Sequence, residues 1–182
     1  KGVPIQPSRI FVDEKRKIVV LLSEQVIPKM YVHKLAHKTV DWILKKGFSR
    51  VISLSGINAG ESNSVVYGIA ANKESVKMLK DHGLEVIEEG ITTGVTAIML
   101  LELKRTSLEA ISILGNVKIA ADYHAAAEVL KKLCGILDIT LDLEPLLKEA
   151  KELEKELVDQ MQKVKETKDS VEKFETRPSM YA

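Results

Sequence analysis

Apolar residues along this chain fall into short continuous runs separated by amphipathic stretches, and near the end they give way to a seven-residue rhythm. Arg9–Val12 and Lys17–Leu22 read as two strands joined by the charged turn Asp13-Glu14-Lys15-Arg16. The second is apolar at every position after Lys17, the pattern of a strand buried on both faces. Pro28 opens a helix with the stripe Val32, Leu35, Ala36, Thr39, Val40, Ile43 and Leu44, and Gly47 closes it. Further strands are predicted at Val51–Leu54, Val65–Ala70, Leu84–Ile87 and Ala110–Leu114. Between them lie a helix capped by Asn72 and running to Gly83, and an apolar helix from Val95 to Leu103. An alanine-rich helix from Asp122 to Leu133 follows the last strand. Strands alternating with helices imply an α/β fold, a three-layer sandwich whose largely parallel sheet is covered on both sides.

After this domain, assigned to residues 1–141, Leu143, Leu146, Ala150, Leu153, Leu157, Gln160, Val164, Thr167, Val171 and Phe174 recur at spacings of three and four. That is a coiled-coil-like seam, predicting a helical stalk over 142–175. Asp142 suits its N-cap and Pro145 its first turn, while Pro178 forbids its continuation. At 1.5 Å per residue a helix from Leu143 to Phe174 spans roughly 48 Å. The seam is strongest at Leu143, Leu146, Ala150, Leu153 and Leu157, which predicts oligomerisation through the domain and the first half of the stalk.

Residues 176–182 read as an extended tail ending Met180-Tyr181-Ala182. An apolar side chain, a rigid aromatic with one hydroxyl and a terminal carboxylate together make a peptide plug for a socket on another protein. The competing reading has Met180 and Tyr181 tucked back onto the domain.

Composition narrows the classes. Of 182 residues 45% are hydrophobic, ample for a core, and 29% are charged, yet the net charge is +1. There is no basic field for nucleic acid and no apolar run long enough to span a membrane. A single cysteine, Cys134, on an apolar helix face excludes an internal disulfide and suits a reducing, cytoplasmic setting.

Candidate chemistry is thin. The loop Ser55–Ser64 is rich in Gly, Ser and Asn and follows a strand, a place where α/β folds hold anions. It has neither the Gly-Lys-Ser ending nor the order of a dinucleotide fingerprint, so a strand-to-strand connection is the better reading. Gly90-Ile91-Thr92-Thr93-Gly94 precedes a helix and is better explained as its start than as an anion cradle. His33, His37 and Asp41 share one helix face, with no zinc-protease pattern around them. No residue is assigned a catalytic, cofactor-binding or metal-binding role.

The runs Val51-Ile52-Ser53-Leu54-Ser55-Gly56, Gly90-Ile91-Thr92-Thr93-Gly94 and Asp122-Tyr123-His124-Ala125-Ala126-Ala127 resemble the archaeal branch of the proteasome assembly chaperone family. The ending Met180-Tyr181-Ala182 is similar to the hydrophobic-tyrosine-any tail by which proteasome activators and some of these chaperones enter pockets between α subunits. The resemblance runs from about Arg9 to the end. Family members carry a further N-terminal portion of strands and a helix, which the resemblance places outside this chain. It implies an α/β scaffold without catalysis of its own, homo-oligomers, and binding of Met180, Tyr181 and Ala182 to the proteasome α ring. Two other readings stay open. One is a nucleotide- or phosphate-binding α/β enzyme using the Gly56–Ser64 and Thr92–Gly94 loops; the other is a coiled-coil oligomer whose tail has no client.

Overall fold

A computed structural model describes residues 4–60, 65–88, 93–118, 122–145, 147–148, 151–152 and 155–156. The order of elements is β1 (Ser8–Asp13), β2 (Ile18–Ser23), α1 (Lys29–Lys46), β3 (Arg50–Ile57), β4 (Val66–Ala70), α2 (Lys73–Asp81), β5 (Glu85–Val86), α3 (Val95–Leu103), β6 (Glu109–Asn116) and α4 (Tyr123–Leu137). β3, β6, β4 and β5 form one sheet in that spatial order, whereas β1 and β2 form a separate antiparallel hairpin. Two of the three pairings in the larger sheet are parallel, β3 with β6 and β4 with β5. The third, β4 with β6, is antiparallel. A largely parallel sheet is what the alternation of strands and helices anticipated, and β4 lies antiparallel to β6 because the chain reverses from β3 to β4 without an intervening helix.

Helices cover the sheet on two sides, each over its own apolar cluster. Val40 and Ile43 of α1 meet Leu100 and Leu103 of α3 around Ala110, with Trp42 and Phe48 packed at the edge. On the other side Leu79 of α2 and Val129 and Ile136 of α4 surround Ile111 and Ile113. Successive β6 residues thus serve opposite clusters, as a central strand must. Two glycines let helices sit close to the sheet. A methyl group on Gly115 would lie 3.2 Å from the Ala125 carbonyl of α4, and one on Gly68 would lie 2.7 Å from Leu79 of α2.

Local chemistry explains the ends of the helices. Asn72 accepts a hydrogen bond from the Ser75 N–H at 2.9 Å and so caps α2. The Asp122 carboxylate accepts from the Ala125 N–H at 2.9 Å and from the Lys118 N–H at 3.0 Å, closing the start of α4. Burial of Asp122 alone would raise its pKa, but these backbone donors outweigh it and leave the pKa lowered. Gly47, at φ +72°, stops α1 in the left-handed conformation.

Two expectations change. β2 is not buried on both faces: Val20, Leu21 and Leu22 are exposed, because within the described residues β2 pairs only with β1 and no helix covers the hairpin. The α1 stripe is narrower than its apolar residues, since Leu35 and Leu44 also lie on the surface. Of the stalk, Glu144, Pro145, Leu147, Lys148, Lys151, Glu152, Lys155 and Glu156 are helical. Asp142 accepts from the Glu144 N–H at 3.0 Å at its start, and the Leu143 carbonyl accepts from the Leu147 N–H at 3.0 Å.

Candidate protein-docking surface

Hairpin β1–β2, the segment that follows it and the first turns of α1 present one run of uncovered apolar side chains. β1 offers Ile10, Phe11 and Val12; β2 offers Val20, Leu21 and Leu22; Val26, Met30 and Tyr31 continue onto α1. Val26 is 94% exposed and Met30 77%. Registered pairs Ile10 with Leu21, Phe11 with Val20, and Val12 with Val19 put apolar residues on both faces of the hairpin. Single exposed apolar residues need no explanation, but a stretch of this kind calls for cover, from the rest of a longer chain or from another protein.

Polar contacts fix the hairpin's shape. Ser8 and Ser23 hydroxyls meet at 2.9 Å across the open end, and Arg9 pairs with Glu24 while its guanidinium lies over the Phe11 ring. At the turn, the Asp13 carboxylate accepts from the Arg16 backbone N–H at 3.0 Å and from its guanidinium at 2.8 Å. The backbone bond first, then the guanidinium, hold the Asp13 pKa below the ordinary carboxylate value. Lys17 takes a left-handed conformation, φ +56°, to return the chain into β2.

Beside the hairpin lies an open groove of about 610 Å³ between the 25–28 segment and one face of α1. Val26, Ile27, Pro28, Tyr31 and Leu35 make its apolar lining, and Gln25, Lys34 and Lys38 supply the polar part. Among the described residues no carboxylate, histidine, cysteine or serine lines it, so they supply no carboxylate, imidazole, thiol or serine hydroxyl for catalysis there. An apolar trough with lysines is chemistry for holding a segment of polypeptide.

The residues singled out in the sequence for other chemistry are dispersed. Gly56 and Ile57 belong to β3, and two N–H groups just beyond them are bonded within the domain. The Ala59 N–H donates to the buried Asn116 side chain at 3.1 Å, and the Gly60 N–H to Asn58 at 3.0 Å. Thr93 and Gly94 lead into α3, with the Gly94 carbonyl accepting from the Ile98 N–H at 3.2 Å. Residues 61–64 and Thr92 lie outside the described residues. His37 stands 3.4 Å from Glu102 of α3 and 3.8 Å from Asp41, tying α1 to α3 at the surface. Among the described residues no three potential metal ligands cluster. Nor, among them, is any helix long and apolar enough to cross a membrane. Of the seam, Leu143 is half-buried, while Leu146, Ala150, Leu153 and Leu157 lie outside the described residues. So do Met180, Tyr181 and Ala182.

The uncovered hairpin is the surface that sequence reasoning missed. Its signal was present as apolar runs on both strands, but such runs report that cover is needed, not that it is supplied.

Residues 1–161 match the model of the PAC2 family, and the chain belongs to that family. It is similar to the uncharacterised protein MJ0106 of Methanocaldococcus jannaschii, 30% identical over 158 residues, which are 86% of this chain and 65% of that protein. Among solved structures it is similar to Pyrococcus furiosus PbaA, an archaeal homologue of proteasome-assembly chaperone. The TM-score is 0.80 at 28% identity, over 95% of this chain and 73% of PbaA. Pyrococcus furiosus PbaB, an archaeal proteasome activator, shares the fold with a TM-score of 0.61 at 21% identity, over 83% of this chain and 76% of PbaB. The chain spans 65% and 61% of the lengths of two curated relatives that it matches, less than two thirds of either.

Proposed function

We propose that this protein is a non-catalytic, proteasome-related assembly chaperone or adaptor. In this reading it self-associates and docks its C-terminal tails, Met180-Tyr181-Ala182, into pockets of the proteasome α ring. The observation that carries the proposal is the likeness to PbaA, at TM-score 0.80 over 95% of the chain. The apolar seam Leu143, Leu146, Ala150, Leu153 and Leu157 adds a means of self-association, and the apolar hairpin adds surface for protein contact. The internally bonded loop at Ala59 and Gly60 weighs against a phosphate-binding enzyme, since those N–H groups are already spent.

Recognition by a tail rests on three groups at once. Met180 fills an apolar pocket, Tyr181 adds a large rigid face, and the carboxylate of Ala182 seeks a cation or backbone donors. A buried aromatic anchor contributes about 2 kcal/mol or more at the centre of an interface, and several tails on one oligomer multiply the loss of each. The test is a pull-down of core-particle α subunits with the full chain, Tyr181→Ala, and a form extended beyond Ala182. Full-chain capture with at least a tenfold loss in both altered forms is expected. Undiminished capture by both would sink the tail reading and pass the interaction to the domain surface.

A further inference from the structure

We draw no further inference here: the strongest candidate, the apolar groove between the 25–28 segment and α1 beside the uncovered β1–β2 hairpin, carries none, because nothing in the structure shows what covers it.

Discussion

β2 and β6 are nearly alike as text and opposite as structure. Each is a run dominated by Ile, Val and Leu, with a serine and no charge in its middle or end. In β6 the residues from Ala110 to Asn116 are all buried; in β2 none is, and Val20 to Ser23 are exposed. Neighbours make the difference. β6 lies between β3 and β4 with two helices over each face, whereas β2 has β1 on one edge and nothing described on the other. Hydrophobicity states a demand for cover, and topology decides whether the same polypeptide meets it.

The largest expected effect breaks the comparison at its buried end. Ile113→Ala removes a fully buried side chain from the cluster under α2 and α4 and should cost about 2–5 kcal/mol in urea unfolding. Leu21→Ala, at a position 55% exposed in the hairpin, should cost less than about 0.5 kcal/mol in dilute solution. Equal losses at the two sites would mean that the hairpin folds as part of the core.

A smaller effect sharpens the buried half by filling space instead of emptying it. Gly115→Ala places a methyl group 3.0 Å from a Val129 side-chain carbon and 3.2 Å from the Ala125 carbonyl, so α4 must shift outward. A cost of about 1–3 kcal/mol is expected in the same unfolding measurement. A neutral result would show that α4 has slack against β6.

How much was legible follows the same line. The helices at Val95–Leu103 and from Lys29 to Gly47, and the caps at Asn72 and Asp122, were readable because capping chemistry and periodicity act within a few residues. Strand positions were readable for the same reason, but β6's place between β3 and β4 was not, because it depends on pairing across more than forty residues of chain, as from Arg50 to Glu109. Burial of β2 was misread because an apolar run has the same appearance whether its cover is present or not. Of the candidate sites, the tail offers chemistry alone, an anchor with a carboxylate, and it lies outside the described residues. The groove beside α1 was not legible, since Val26 and Leu35 meet only after the segment after β2 turns into the helix.

A more modest loss is expected from charge near the end of β6. Asp122 holds the Lys118 and Ala125 N–H groups, joining the segment that leaves β6 to the first turn of α4. Asp122→Ala should cost about 1 kcal/mol at neutral pH, the usual worth of such a cap. Its pH dependence has a definite sign. Burial opposes ionisation, yet the two backbone donors prevail and the folded-state pKa lies below the ordinary carboxylate value. A carboxylate with a depressed folded pKa contributes its full share above the unfolded value and loses it as pH falls through the folded one. The gap between native protein and Asp122→Ala in thermal unfolding should therefore be constant from pH 7 to about 5 and shrink below about pH 4. Asp122→Asn keeps an acceptor oxygen without a titrating group, so it should retain most of the cap at pH 7 and lose the acid dependence. A gap that widens on acidification would reverse the sign, and would mean that burial, not the Ala125 and Lys118 donors, governs this carboxylate.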